Sequence, residues 1–225
     1  MLPILGWRLD LENSDVPIAI GSSARPWIED SLQLAALKPL PVVRISGTVF
    51  ARRLFLPMGS ARSLTHPSFY QGAFSRLTSR IDQILKPVSS PPIYISRRDS
   101  GRRPMKNEAL LEDRLASRGI RPIILSEMSL TEKVRIIRDS PFILGAHGAG
   151  FAYLAFASTP KKVLEILPLQ AGGFDRIRLC MTQISRAMGH SHHLYLEKPI
   201  SISKTGEWEL SLDDFLRNVD AVSNF

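Results

Sequence analysis

The stretch Pro141-Phe142-Ile143-Leu144-Gly145-Ala146-His147-Gly148-Ala149-Gly150 decides how this chain is to be read. Phe142–Gly145 is an apolar run of strand length, and the glycines after it punctuate a turn before a second apolar stretch that reads as helix. Glycines at a strand-to-helix turn let backbone N–H groups approach a phosphate, whose charge the positive end of the helix dipole then holds. Such turns also serve tight packing alone, and the order here is not the G-x-G-x-x-G of a dinucleotide fold. Pro141 to Ser158 carries no formal charge. It contains several glycines, however, and falls short of the ~20 predominantly apolar residues of a membrane span. Strand, turn and helix is the consistent reading.

Outward from this point the pattern repeats. Further apolar runs stand at Ile93–Ser96, Pro122–Leu125, Lys162–Leu167 and His193–Leu196. Between the second run and Phe142 lies the stripe Leu130, Val134, Ile137, an i, i+4, i+7 helical face introduced by Ser129 and Glu132 at capping-box spacing. Between Lys162–Leu167 and His193–Leu196 lies a helical pattern with Phe174, Ile177, Met181, Ile184 and Met188 on its apolar face. Cys180, the only cysteine, sits within it as a structural thiol, and one cysteine permits no intrachain disulfide. Strands alternating with helices in this way must be parallel and covered on both faces, which predicts a doubly wound α/β domain over residues 91–225.

The first ninety residues are less regular. Val16–Ile20, Val42–Ile45 and Val49–Leu56 read as strands, and Pro26–Leu37 and Phe69–Leu85 as helices. Ser89-Ser90-Pro91-Pro92 breaks the pattern, so residues 1–90 form a second α/β domain. The last helix spans Leu212–Val222, with Ser211 as its cap.

Composition bounds the function without choosing it. Over 225 residues the hydrophobic share is 44% and the charged share 22%, which excludes whole-chain disorder. Lys and Arg outnumber Asp and Glu by 29 to 21, a net charge of +8, which suits a nucleotide diphosphate, a nucleic acid or an acidic membrane surface. Met1–Trp7 lacks the basic and apolar regions of a secretory signal.

Two further groups of residues carry chemistry. Glu165 lies near the carboxyl end of the run Lys162–Leu167, where a carboxylate can accept hydrogen bonds from ribose hydroxyls. Ser96–Glu108 leaves one strand, enters a helix, and places Arg97, Arg98, Arg102, Arg103 and Lys106 against the single Asp99 before Asn107. Arginine forks match phosphate geometry and can take up the charge of a departing diphosphate. Both groups fall at carboxyl ends of strands in one sheet and can face one ligand. His190, His192 and His193 have no Cys or carboxylate at ligand spacing and read as a solvated loop entering a strand.

Tyr94-Ile95-Ser96-Arg97-Arg98, Arg103, Asn107-Glu108, Gly119, Glu127-x-Ser129-Leu130-x-Glu132, Gly145-x-His147-Gly148-Ala149-Gly150, Phe156 and Val163-Leu164-Glu165-Ile166-x-Pro168 follow one another in an order and spacing that resembles family 61 glycosyltransferases. The resemblance implies the GT-B arrangement of two Rossmann-like domains. It implies an inverting transfer of sugar from a nucleotide-diphosphate donor to a glycan or lipid-linked acceptor, with no metal or other cofactor. Arg97, Arg103, Asn107, Glu108 and the turn His147, Gly148, Ala149 and Gly150 would line the donor site, and Glu165 would hold the ribose. His66 resembles a histidine of bacterial members and is the candidate general base, with a structural loop histidine as the competing reading.

The chain departs from the family pattern in two places. Phe151-Ala152-Tyr153 stands where members usually have Leu-Thr-Asn. The segment with an Asn and a His-Trp pair that members carry ahead of a Leu-Pro like Leu2-Pro3 is missing, so an N-terminally truncated acceptor-side domain is expected. Likeness to the bacterial capsule and lipopolysaccharide members implies a cytoplasmic protein with peripheral contact at the inner membrane. The alternatives are a non-catalytic nucleotide-sugar-binding remnant or partner subunit and, less favoured, a basic nucleic-acid binder. No nucleic-acid motif accompanies the charge, so no nucleic-acid partner is expected.

Overall fold

The computed structural model describes residues 16–35, 41–54, 75, 78–101, 103–169, 179–197 and 206–223. The chain divides into two compact units, Met1–Lys86 and Pro87–Phe225.

In the first unit β1 (Ile18–Gly21) runs parallel to β2 (Val42–Ile45), in the register Ile18 to Val42, and α1 (Pro26–Ala35) connects them. Arg44 on β2 reaches back to Glu29 Oε2 at 2.9 Å and to the carbonyl of Ala24 at 3.0 Å, tying the end of β2 to the start of α1. Residues 78–84 are helical, with Ile81 and Leu85 buried. The expected helix Phe69–Leu85 is therefore present where it is described, and its beginning lies outside the described residues. The expected strand Val49–Leu56 is a correction. Val49 to Leu54 form no strand, and Val49, Phe50 and Leu54 are exposed. Apolar alternation makes a strand only when a neighbour pairs with it, and among the described residues none does.

The second unit is built on five strands in the order β4-β3-β5-β6-β7, every neighbouring pair parallel. They are β3 (Ile93–Ile95), β4 (Arg121–Ile123), β5 (Phe142–Ala146), β6 (Lys162–Pro168) and β7 (Ser191–Glu197). All residues of β3 and β5 are buried, as unbroken apolar runs covered on both faces require. Side chains alternate between two cores. Tyr94, Leu144, Leu164 and Ile166 pack with Leu111 and Leu115 of α2 (Glu108–Ala116) and with Phe215, Leu216 and Val219 of the last helix (Leu212–Ser223). Ile93, Ile95, Ile143 and Val163 pack on the opposite face with Ile137 of α3 (Leu130–Asp139) and with Phe151 and Leu154. Met181 and Ile184 of α4 (Cys180–Ala187) also lie there, and Cys180 is partly buried at the start of that helix. Phe174 and Ile177, expected on the same apolar face, lie outside the described residues.

Local signals set several boundaries. The capping box forms. Ser129 Oγ accepts from Glu132 N–H at 3.3 Å while Glu132 Oε2 accepts from Ser129 N–H at 2.7 Å. Before the last helix, α5 (Leu212–Ser223), the Ser211 hydroxyl and N–H both donate to the buried Glu197 carboxylate at the end of β7. After the glycine turn the chain enters a 3₁₀ helix, Ala149–Phe156, in place of the expected α-helix. The topology determines where a ligand would bind. From β3 the chain goes to α2 on one face, and from β5 it goes to the 3₁₀ helix on the other. Between the carboxyl ends of these neighbours the winding reverses, and parallel α/β sheets take ligands at such a reversal.

Candidate functional site

At this winding reversal the loop that leaves β3 meets the glycine turn that leaves β5. Register places Ile95, Gly145 and Glu165 side by side across three strands. A Cβ on Gly145 would stand 3.1 Å from the Ile95 carbonyl, and one on Gly150 would stand 3.0 Å from Leu125 and 3.1 Å from Ile95. These two glycines let the turn press against β3. Gly148 has a different neighbour, because its missing Cβ leaves room for the Arg97 guanidinium, whose Nη1 would be 2.6 Å away. That Nη1 donates to the His147 carbonyl, and Nη2 donates to Ser100 Oγ at 2.9 Å. Arg97 therefore straps the loop after β3 to the turn after β5.

The backbone of the turn is open where a ligand would need it. His147 N–H is taken by the Ile166 carbonyl at 2.9 Å and Phe151 N–H by the Gly148 carbonyl at 3.2 Å. Among the described residues no acceptor takes the N–H groups of Gly148, Ala149 and Gly150. Unsatisfied N–H groups at the first turn of a helix, next to a guanidinium, form a receptor for an anion.

Glu165 is fully buried, and each of its oxygens has an imidazole partner. Oε1 is 2.5 Å from His147 Nδ1, and Oε2 is 3.0 Å from His192 Nε2. Burial alone pushes the carboxyl up, but the two histidines outweigh it and hold Glu165 below its ordinary value, so it is ionised and accepts from both rings. His192 Nδ1 lies 2.7 Å from Ser185 Oγ on α4. With no exposed surface, the carboxylate anchors histidines and offers no open face to ribose hydroxyls. His147 is the member of the group that belongs to the turn.

Asn107 and Glu108 also work inward. The Asn107 amide donates to the Leu210 carbonyl at 2.8 Å and accepts from Leu210 N–H at 3.0 Å, the pairing a strand neighbour would make. Glu108 is buried, and its Oε1 accepts from Tyr94 OH at 2.9 Å and from Arg97 N–H at 2.7 Å. Burial raises the Glu108 carboxyl in spite of these donors. Arg103 has φ +55°, and its carbonyl accepts from the Trp208 indole at 3.0 Å. Arg98 lies 3.1 Å from the Glu112 carboxylate. Arg97 and the Arg103 carbonyl are thus tied down by contacts within the unit, while the Arg98 side chain remains 53% exposed. Arg102 and His66 lie outside the described residues.

The histidines near β7 correct the expectation of a solvated loop. β7 starts at Ser191, two residues earlier than predicted, so His192 is part of the strand and its side chain is buried. His190 is buried, with Nε2 3.1 Å from the Leu154 carbonyl and Nδ1 accepting from Lys161 N–H at 3.3 Å. His193 lies against Ser191 Oγ at 3.0 Å. At the departure from the family pattern, Phe151 is buried in the core, and half-buried Tyr153 stacks on Phe156 with ring centroids 5.9 Å apart. The phenol replacing the usual amide packs sideways along the 3₁₀ helix. His192, Ser185 and Trp208 are functional candidates that sequence reasoning missed. His192 was missed because the apolar run that marks β7 was read as starting at His193.

A five-stranded parallel sheet with a glycine turn at its winding reversal defines a Rossmann-like α/β fold. The sequence model described as Glycosyltransferase 61 matches residues 10–164, most of the chain, and this chain belongs to that family. A comparison with curated proteins gives no match. Family membership brings a sugar donor and an acceptor. Among the described residues no helix is long and apolar enough to cross a membrane.

Proposed function

We propose that this chain is a glycosyltransferase that takes sugar from a nucleotide-diphosphate donor and passes it, with inversion and without a metal, to a glycan or lipid-linked acceptor. The observation that carries this reading is the trio of open N–H groups at Gly148, Ala149 and Gly150, beside the Arg97 guanidinium at the winding reversal. In the two-domain arrangement that the family resemblance implies, the Pro87–Phe225 unit takes the donor. The acceptor oxygen attacks the anomeric carbon in line as the bond to the diphosphate oxygen breaks. The leaving diphosphate keeps the electron pair, and the turn and Arg97 stabilise it. A base takes the acceptor proton, and His66 is the candidate. Glu165 reaches the donor through His147, while Asn107 and Glu108 hold the loop that presents Arg97 and Arg103.

The resemblance supports a place among enzymes that build bacterial surface polysaccharide. The excess of basic residues suits work in the cytoplasm beside an acidic inner-membrane face.

Calorimetry with UDP, GDP and CDP in EDTA tests the donor site. At least one should bind, and Arg97→Ala should weaken that binding by about 1–3 kcal/mol, the scale of charge-assisted hydrogen bonds. Absence of heat and of a thermal shift from all three at millimolar concentration would overturn the reading.

A further inference from the structure

We propose that His192 and Ser185 are positioning residues for His147, acting through the carboxylate of Glu165 that the two histidines share. Both lie beyond the stretch 10–164 that the family match covers. Neither can touch a ligand itself, since Ser185 is fully buried and the His192 side chain is 3% exposed. The hydrogen bonds fix which ring nitrogens face the carboxylate. An ionised Glu165 only accepts, so His147 carries a proton on Nδ1 and His192 carries one on Nε2. On the other side of the ring, His192 Nδ1 pairs with the Ser185 hydroxyl at 2.7 Å.

The geometry explains why a second histidine is needed. A buried carboxylate with one partner can rotate to find a second, and each rotation would move His147. With His192 on Oε2, rotation of Glu165 breaks a buried hydrogen bond, so Oε1 stays aimed at His147 Nδ1. Because Nδ1 is committed inward, Nε2 is the nitrogen left to act at the turn. Outer partners that fix a histidine's tautomer and ring orientation in this way are well attested around metal-bound imidazoles. Here the fixed ring lies on the turn whose carbonyl Arg97 holds. Phe151, whose ring centroid is 6.3 Å from that of His192, closes one side of the pair.

The proposal rests on the turn being the diphosphate site, and the test separates the two. Histidine ¹⁵N spectra of the free protein report which nitrogen of each ring is protonated, and with five histidines in the chain, His147→Gln identifies the signal of interest. The wild type should show His147 as the Nδ1–H form. His192→Phe should remove that signature and weaken UDP binding about tenfold, the cost of leaving a buried acceptor without its donor. His192→Gln, whose amide N–H can replace the Nε2 donor, should restore the signature and return UDP affinity to within about threefold. Ser185→Ala makes the same test with a smaller change of volume, and should shift the His192 and His147 signals together if His192→Phe does not fold. An unchanged His147 signature in the folded His192 and Ser185 variants overturns the proposal, whatever happens to UDP. A signature that changes as expected in a protein that binds no nucleotide upholds the positioning and removes the donor-site reading.

Discussion

A methyl group at residue 148 would meet the tip of an arginine, whereas one at 145 or 150 would meet the body of β3 and its neighbours. Arg97 is long and can swing away, but Ile95 and Leu125 are buried or half-buried in a packed core. The substitutions should therefore separate binding from stability. Gly148→Ala should leave the melting temperature within a few degrees and weaken nucleotide binding about as much as Arg97→Ala, because it displaces the same guanidinium. Gly150→Ala should destabilise the fold by about 1–3 kcal/mol through overpacking. Denaturant titration together with nucleotide calorimetry on both variants checks this, and equal effects of the two changes would contradict it. The sequence marked all three positions as a phosphate turn. It could not divide them, since none has a positive φ and their separate roles come from the groups that pack beside them.

At the scale of the element, the loop between β3 and α2 is shaped by contacts from the far end of the unit. The Trp208 indole N–H and the Leu210 backbone hold the Arg103 carbonyl and the Asn107 amide, partners 105 and 103 residues away. Met105 and Trp208 add a parallel bridge. Under this clamp Arg103 adopts φ +55°, which costs a residue with a Cβ about 1–2 kcal/mol. Arg103→Gly and Arg103→Ala remove the same guanidinium and differ in the backbone alone. The glycine variant should be the more stable by about 1 kcal/mol in urea titration, while both bind nucleotide equally weakly. If alanine proves as stable as glycine, the clamp does not hold the left-handed turn under strain. The capping box of α3 was legible in advance, because its partners are three residues apart. The Trp208 clamp was not, because no local pattern reports a partner a hundred residues away.

Across the whole molecule, buried titratable groups set the response to acid. Burial depresses the His190 imidazole below its ordinary 6.5, aided by nearby Lys161 and His192 and opposed by the Leu154 carbonyl. The unfolded chain thus takes up this proton first on acidification. The stability associated with neutral His190 is complete above pH 6.5 and is lost as pH falls from there towards the depressed value. Glu165 is held below its ordinary 4.5, so its contribution is present above that pH and is lost as pH falls through the lower folded value. Melting temperature should therefore fall in two stages as a wild-type sample is acidified. His190→Gln, which keeps a donor for the Leu154 carbonyl but cannot titrate, should flatten the first stage and leave the second. An unaltered first stage in that variant would assign it to another group.

The order of apolar runs from Ile93 onward determined the parallel sheet by itself, because strands covered on both faces must be apolar throughout and their alternation with helices forces crossovers. The motif residues likewise fall at the carboxyl ends of β3 and β5, as their order along the chain predicts. Tertiary structure alone decided what each charged or polar residue does there. Glu165, Asn107 and Glu108 were legible as polar groups near a ligand, but each makes its hydrogen bonds within the protein: buried Glu165 with His147 and His192, partly buried Asn107 with the Leu210 backbone, and buried Glu108 with Tyr94 and Arg97. His192 became part of the site through register, because pairing Val163 with His192 and Glu165 with Leu194 brings together residues 27 apart. Period and spacing are properties of neighbours along the chain. Hydrogen-bond partners across a sheet depend on register and burial, which exist only once the layers have packed.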